Sequence, residues 1–234
     1  FNVDSKGVVL NNSPSDLSHA TLGNIAKNNN LTNGSASVIL NEVTSNRASS
    51  LNGFIEVAGQ RADVVIANPN GISCSGCSFI NTNKAILTTG KVTFSDTGAI
   101  ASYDVTGGKL SIDKNGMDAS NSYAVLLADA IAINGTVNAT NAIVAAGNFT
   151  FDNGSGAITS AGKAATARQY VYPEYSIDIS NLGGIKANSI TMVGNNLGFG
   201  VRNKGAIVAN TSLSLTSFGS LTNEGSIASN GMMT

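Results

Sequence analysis

The chain has 234 residues, of which only 12% are charged, and its 13 basic side chains nearly balance its 14 acidic ones. This balance leaves no electrostatic footprint for nucleic acid, and the sequence has no Lys/Arg run typical of membrane-surface binding. The apolar runs are far shorter than the roughly 20 residues of a membrane-spanning helix, which excludes an integral membrane helix protein. From the chain length we expect one folded domain over residues 1–234.

Residues 1–90 contain the only histidine and both cysteines. A nucleophilic triad would have to use His19, for which an exposed polar side chain is the simpler prediction. Cys74 and Cys77 could supply only half of a four-ligand zinc site, and no predicted helix follows them as a thioredoxin-like centre requires. We predict a local disulfide between them, with two free thiols as the alternative. A disulfide would indicate an extracytoplasmic compartment.

From residue 91 onward, the sequence repeats with a period of about 20 residues. Apolar-polar-apolar triplets recur, and each predicts a short strand with one buried face. The triplets are Val92-Thr93-Phe94, Leu110-Ser111-Ile112, Ile131-Ala132-Ile133, Phe149-Thr150-Phe151, Ile190-Thr191-Met192 and Leu213-Ser214-Leu215. The leucine-rich repeat frame is absent and a propeller blade would need a longer period. The pattern therefore predicts an all-β fold, a parallel β-helix of about 11 coils.

Turn residues separate these predicted strands. Asn-Gly pairs offer the positive φ of tight corners, and six of them begin at Asn33, Asn52, Asn70, Asn115, Asn134 and Asn153. Asparagines at equivalent corners of successive coils can also stack, each amide bonding the next without charge repulsion. We expect a minority of the pairs to form hairpins outside the helix, mainly in the first 90 residues.

Residues 162–176 interrupt the repeat and contain three of the five tyrosines, Tyr170, Tyr172 and Tyr175. This composition indicates an excursion from the β-helix. One interpretation is a loop or hairpin that covers a sheet face. The other is a partner-binding loop, because exposed aromatic side chains are enriched at interfaces.

Polysaccharide-active β-helix enzymes place paired carboxylates on one face. In this chain the acidic residues share no repeating position, as shown by Asp63, Asp96, Asp104, Asp113, Asp118, Asp129, Asp152 and Asp178. We therefore predict that the protein is not an enzyme and uses no cofactor or metal. A polysaccharide-active enzyme is the alternative that a carboxylate cluster on one sheet face would support.

The densest sequence signal lies in residues 28–90. It includes Asn28-Asn29-Asn30-Leu31, Ser37-Val38-Ile39-Leu40-Asn41-Glu42-Val43, Gly53-Phe54-Ile55-Glu56-Val57-Ala58-Gly59, Ala62-Asp63-Val64-Val65-Ile66-Ala67-Asn68-Pro69-Asn70-Gly71-Ile72 and Thr88-Thr89-Gly90. These blocks resemble the N-terminal secretion domain of two-partner secretion exoproteins. That family includes filamentous haemagglutinin adhesins, large haemolysins and contact-dependent inhibition toxins. The Cys-x-x-Cys that follows is closest to the haemolysin and inhibition-toxin branches, of which we take the haemolysin branch as nearest.

The resemblance implies a right-handed parallel β-helix, with a capping region in residues 1–90 and regular coils in residues 91–234. The family motif Asn-Pro-Asn-Gly maps intact onto Asn68, Pro69, Asn70 and Gly71. The motif Asn-Pro-Asn-Leu maps onto Asn28, Asn29, Asn30 and Leu31, where Asn29 replaces proline. This departure weakens a contact role for the missing proline. Family members also carry residues ahead of the first position here, so the resemblance implies an incomplete cap.

The conformation of the 68–71 block can also be predicted from its residues alone. Pro69 fixes its own φ and holds Asn68 extended, Asn70 tolerates left-handed geometry and Gly71 supplies positive φ, so the block predicts a β-turn. A turn required for folding and a contact with a transporter both remain open at this point.

We therefore expect a secretion module that targets a large exoprotein, predicted to be a haemolysin or cytolysin, to an outer-membrane β-barrel transporter with periplasmic recognition domains. The alternative is the same module of an adhesin or a contact-dependent inhibition toxin. Coil-by-coil folding outside the cell would leave an edge on which the downstream exoprotein, or a second copy, could template. The resemblance implies passage through the periplasm of a Gram-negative bacterium to its surface or beyond, with a host cell membrane as a partner of the full-length protein.

Overall fold

The computed structural model describes residues 1–160 and 175–234, which form 25 β-strands. In this part of the chain, no helix is long and apolar enough to span a membrane. The strands up to residue 105 are β1 (Val8–Asn12), β2 (Leu17–His19), β3 (Gly23–Ile25), β4 (Val38–Glu42), β5 (Ser49–Leu51), β6 (Phe54–Gly59), β7 (Ala62–Ala67), β8 (Ile72–Cys74), β9 (Cys77–Ile80), β10 (Thr82–Thr88), β11 (Lys91–Phe94) and β12 (Ile100–Val105). The later strands are β13 (Lys109–Ile112), β14 (Met117–Ala128), β15 (Ala130–Ile133), β16 (Thr136–Ala146), β17 (Phe149–Asp152), β18 (Ile158–Ser160), β19 (Tyr175–Ile179), β20 (Gly184–Gly194), β21 (Gly200–Asn203), β22 (Ala206–Ser217), β23 (Leu221–Asn223), β24 (Ser226–Ser229) and β25 (Met232–Met233).

Most strands pair in parallel with the strand one coil away, and together they form three faces of a β-helix. The first face contains β1, β6, β9, the N-terminal parts of β14, β16, β20 and β22, and then β24. The second face contains β4, β7, β10, the C-terminal parts of the same four long strands, and β25. The third face contains β5, β8, β13, β15, β19, β21 and β23.

Alternating side chains point into the helix and stack in columns. On the third face, Leu110 lies beside Ile131, which lies beside Ile177, and all three are buried. Ser111 and Ala132 lie between the buried positions and face outward, because successive side chains of a strand alternate. The triplets that contain these residues therefore occupy equivalent positions in adjacent coils, as predicted.

Two predicted triplets belong to a different sheet. β11 and β17, which contain the Val92 and Phe149 triplets, pair with β12 and β18 in an antiparallel sheet of order β11-β12-β17-β18. This covering sheet packs Tyr103 and Phe149 against outward side chains of the second face, including Val65 and Val125. Assigning these two triplets to the coils was wrong, because their spacing only imitates the repeat.

The chain therefore has fewer coils than the sequence suggested. The first-face path contains eight strands in the described residues, against a prediction of about 11 coils from chain length. The difference arises because the covering sheet uses residues that the estimate assigned to coils.

Glycines form the corner between the third and first faces. A Cβ on Gly205 would lie 1.9 Å from the carbonyl oxygen of Gly183, and one on Gly225 would lie 2.1 Å from the carbonyl oxygen of Gly205. None of these three glycines has a positive φ. The corner thus requires glycine because the backbones of successive coils approach closely.

The predicted Asn-Gly corners fall into two groups. Positive φ is present, as predicted, at Gly34, Gly71 and Gly116. The prediction was wrong for Gly53, Gly135 and Gly154, whose φ is not positive. At Gly53 and Gly135, a Cβ would lie 2.2 Å from a carbonyl oxygen of the neighbouring coil, so close approach is again the reason.

Asparagine ladders form between coils, although not at the Asn-Gly pairs. Asn203 Nδ2 donates to Asn223 Oδ1 at 2.8 Å, and Asn210 Nδ2 donates to Asn188 Oδ1 at 3.0 Å. The expected hairpin in the first 90 residues is β2–β3, but it contains no Asn-Gly pair. One pair, Asn153-Gly154, lies in the turn between antiparallel β17 and β18 of the covering sheet.

Candidate functional site

The 68–71 turn joins β7 to β8 at the corner between the second and third faces. Gly71 N donates to Asn68 O at 3.1 Å, which is the hydrogen bond of a β-turn. Asn70 N donates to Asn68 Oδ1 at 3.0 Å and adds an Asx turn. Gly71 has a φ of 114°. The turn predicted from these residues is therefore present.

Asn68 is fully buried, with 0% of its surface exposed. Its Nδ2 donates to Arg47 O at 2.8 Å and to Ser49 Oγ at 2.9 Å. Its backbone N donates to Thr88 O at 2.9 Å. Arg47 and Ser49 belong to the preceding coil and Thr88 to the following one. Asn68 therefore links three coils, and its buried amide is satisfied as a structural amide must be.

Pro69 and Asn70 are the exposed residues of the 68–71 turn. Asn70 Nδ2 donates to Ser45 O at 2.7 Å and to Asn68 Oδ1 at 2.9 Å. These bonds hold the Asn70 amide across the top of the turn while its surface faces solvent. Only Pro69 and Asn70 of this motif thus offer a side chain to a partner.

The 28–31 turn has the same hydrogen-bonding pattern. Leu31 N donates to Asn28 O at 3.1 Å, and Asn30 N donates to Asn28 Oδ1 at 3.0 Å. Asn29 is exposed at the position that Pro69 occupies in the other turn. The replacement of proline by Asn29 therefore leaves the turn intact. Among the described hydrogen bonds, the two turns share no partner.

The 28–31 turn lies in a capping segment, residues 13–37, that two side chains hold against the first face. Buried Asn12 donates from Nδ2 to Ala36 O and Gln60 O, each at 2.8 Å. His19 Nδ1 accepts backbone N–H groups, so Nε2 carries the proton and donates to Glu56 Oε1 at 3.0 Å. The prediction of an exposed His19 was wrong, because Glu56 packs over its side chain, which is only 10% exposed.

The cysteines lie at a corner between the third and first faces, since Cys74 ends β8 and Cys77 begins β9. Their Sγ atoms are 1.98 Å apart, as in a disulfide, and both residues are buried. Within the bridged turn, Gly76 N donates to Gly116 O at 2.9 Å. The bridge thus closes the same kind of corner that glycines close in later coils.

Of the tyrosines proposed as a partner loop, Tyr170 and Tyr172 lie outside the described residues. Tyr175 begins β19 and is half-buried. The Arg202 guanidinium carbon lies 4.5 Å from the Tyr175 ring centroid, and Arg202 also donates two hydrogen bonds to Asp178, at 2.9 and 2.8 Å. These hydrogen bonds to the Asp178 carboxylate raise the pKa of Arg202. Tyr175 is therefore packed against a charged cluster of the third face.

Several of the described acidic side chains accept hydrogen bonds from nearby groups. Asp104 accepts a hydrogen bond from Thr150 Oγ1 at 2.7 Å. Hydrogen bonds from the Ser155 backbone and hydroxyl lower the pKa of Asp152. Across residues 1–160 and 175–234, no three His, Cys, Asp or Glu side chains come together as a possible metal site.

The sequence analysis missed a buried polar cluster around Asp129, which is 1% exposed. Asn196 Nδ2 and Asn148 Nδ2 donate to Asp129 Oδ1 at 3.1 and 3.3 Å. The three residues lie at corners of different coils, so no local sequence pattern predicts that they are in contact. Because Asn148 immediately precedes β17, this cluster fixes the point at which the chain leaves the helix for the covering sheet.

The chain is similar in sequence to a known family of protein domains and to several known proteins. The family model described as TPS secretion domain matches residues 1–229. "Toxin CdiA" of Yersinia pestis is 40% identical over 231 residues, which cover 98% of this chain and 7% of that protein. "tRNA nuclease CdiA-2" of Burkholderia pseudomallei is 36% identical over 211 residues, which cover 89% of this chain and 7% of that protein. The chain thus spans a small fraction of the length of these relatives.

A solved structure described as the filamentous hemagglutinin secretion domain superposes on the whole chain. Its TM-score is 0.86 and its sequence identity is 32%, and the match covers 100% of this chain and 84% of that structure. The right-handed parallel β-helix with extra-helical hairpins is confirmed by this likeness and by the parallel stacking of the three faces.

Proposed function

Because the chain belongs to the TPS secretion domain family, we propose that it targets a large exoprotein to an outer-membrane β-barrel transporter of a Gram-negative bacterium. The observation that carries this proposal is the family match over residues 1–229. The periplasmic domains of the transporter would bind the chain before it folds, by strand addition, since extended segments offer main-chain donors and acceptors. The exoprotein would then fold outside, at the cell surface or in the medium.

The proposed cargo rests on the CdiA relatives. The CdiA relatives support the alternative of a contact-dependent inhibition toxin over the haemolysin or cytolysin predicted from the motifs. In either case the cargo would lie in the part of the relatives' length that this chain does not cover, and that part would act on a target such as a host cell membrane. Sequencing the gene downstream of Thr234 tests the assignment, and a lytic or adhesive region there would contradict it.

The buried sulfurs of Cys74 and Cys77 support an oxidised pair in the exported protein, since disulfides persist in oxidising compartments. The pair closes only a short loop, so its chain-entropy contribution to stability is about 2 kcal/mol. Thiol titration of the denatured exported protein measures directly whether the two cysteines are oxidised. Two titratable thiols would contradict the proposal.

The C-terminal end of the β-helix supports templating of further coils. In the last described coil, Leu221 is 53% exposed and Met232 is 71% exposed. The main-chain groups of β24 and β25 pair only with β22 in the described residues, which leaves an edge available for pairing. A downstream exoprotein segment, or a second copy, would cover these side chains. Purified domain should therefore accelerate refolding of a longer exoprotein chain, and an unchanged refolding rate would contradict templating.

Pro69 and Asn70 are proposed as transporter contacts, since they are the exposed part of the 68–71 turn. The turn's own hydrogen bonds join residues within 68–71, so the turn can form in a chain whose coils have not yet folded. Asn68 and Gly71 would then serve the fold alone. This division separates the two roles that the motif left open, because the contact residues can be changed while the buried anchor stays.

We expect Asn70→Ala to fold and yet to be exported several-fold less efficiently when co-expressed with the transporter. The loss of two partly exposed hydrogen bonds should cost about 1 kcal/mol of unfolding free energy, so circular dichroism should remain native. Asn29→Ala, at an exposed position of the other turn, is the matched control. A folded Asn70→Ala variant exported as well as the wild type would exclude the contact role.

A further inference from the structure

Asn-Gly sequences can deamidate without an enzyme. The glycine backbone nitrogen attacks the asparagine Cγ, the new C–N bond closes a succinimide, and the side-chain nitrogen leaves as ammonia. Water then reopens the ring to aspartate or isoaspartate. The reaction needs a free glycine N–H and an asparagine side chain that can turn toward it, so folded structure decides which pairs react.

The chain has seven Asn-Gly pairs, all in the described residues. Four have a glycine N–H that is already bonded. Gly71 donates to Asn68 O, Gly116 to Asp113 O, Gly154 to Asp152 Oδ1 and Gly231 to Ser229 Oγ. Two more, Gly53 and Gly135, are buried in coil corners where a Cβ would meet a carbonyl oxygen at 2.2 Å. These six pairs are held by the fold.

Asn33-Gly34 differs from the other pairs in every one of these respects. Both residues are exposed, and a Cβ on Gly34 would meet no atom within 4 Å. Within residues 1–160 and 175–234, no hydrogen-bond partner holds the Asn33 amide or the Gly34 N–H. The pair lies in the turn between the 28–31 turn and β4.

We infer that Asn33 is a deamidation site of the folded protein and that the remaining Asn-Gly pairs are protected by the β-helix. The product carries a new carboxylate beside the 28–31 turn. Along the isoaspartate route, it also has one more backbone carbon at the join between the capping segment and β4. Because these residues contact no core column, the modified domain keeps its β-helix.

The test is peptide mapping by mass spectrometry after the purified full chain is incubated at mildly alkaline pH. In the folded protein, Asn33 should convert about tenfold faster than Asn70 or Asn115, since freeing their glycine N–H groups first breaks a backbone hydrogen bond. In denaturant, all seven pairs should convert at comparable rates. Asn33→Gln, which cannot readily form the five-membered ring, should leave the folded chain unmodified.

Comparable conversion of Asn33 and Asn70 in the folded protein would overturn the inference, and so would an unmodified Asn33. A folded-state preference for any other pair would overturn it as well. Circular dichroism before and after incubation checks that the reacting protein remained folded.

Discussion

Replacing Asn68 by alanine is expected to lower the unfolding free energy of the domain by about 3 kcal/mol, since it leaves the buried Ser49 hydroxyl and two part-buried backbone groups without their partner. The Asn68 amide bonds Arg47 O, Ser49 Oγ and Asn70 N. Asn68 and Ser49 are both buried, so water does not readily replace the hydrogen bond between them. A loss of this size is a large fraction of the stability of an ordinary domain.

Urea unfolding followed by circular dichroism measures this effect. Asn70→Ala is the matched variant, because it removes the same functional group from an exposed position two residues away. The two variants should differ by about 2 kcal/mol in unfolding free energy. Equal unfolding free energies would contradict the assignment of Asn68 as the anchor that links three coils.

Replacing Gly205 by alanine is expected to destabilise the β-helix by about 3 kcal/mol, the upper end of what overpacking usually costs. The new methyl group would lie 1.9 Å from Gly183 O and 2.7 Å from Ser180 O. Both neighbours are backbone atoms of the preceding coil, so no side chain can rotate away. The two coils would have to separate, which weakens the ladder between β20 and β22.

Gly154→Ala provides the matched control, because its Cβ would meet only Asp152 Oδ1, at 3.5 Å, and its φ is not positive. We expect its unfolding free energy to change by less than about 0.5 kcal/mol. Thermal or urea unfolding of both variants distinguishes them. A Gly205→Ala variant as stable as Gly154→Ala would show that the coils do not approach as closely as described.

The coils and the two motif turns could be predicted from the sequence because each depends on a few adjacent residues. The triplets containing Leu110 and Ile131 alternate within a strand, and their spacing equals one turn of the helix. Likewise, Pro69 and Gly71 restrict φ locally, so the 68–71 turn follows without knowledge of its surroundings. The resemblance added the handedness, which periodicity lacks. The capping role that it implies for residues 1–90 stays a prediction.

The covering sheet could not be predicted, because its strands have the same alternation as coil strands. Val92 and Phe149 pack against the outer surface of the second face rather than inside the β-helix. Only their long-range partners distinguish the two arrangements. The role of Asn68 as an anchor between coils could not be predicted for the same reason. Its partners Arg47 and Ser49 are brought to it by the stacking of coils.

Glycine corners illustrate a further limit. Asn-Gly pairs predict positive φ, yet Gly53 and Gly135 are needed for close approach instead. A sequence shows that glycine is present without showing which of its two properties the fold uses. Identifying the reason requires the neighbouring coil.

The most direct test of the account is the fate of residues 1–234, preceded by a signal peptide, in a Gram-negative host with and without the partner transporter. We predict that the folded chain accumulates outside the cell only when the transporter is present, and that Gly154→Ala, which leaves the proposed contact unchanged, is exported equally well. A chain that stays in the periplasm despite the transporter, or that reaches the medium without it, would contradict the proposed secretion function.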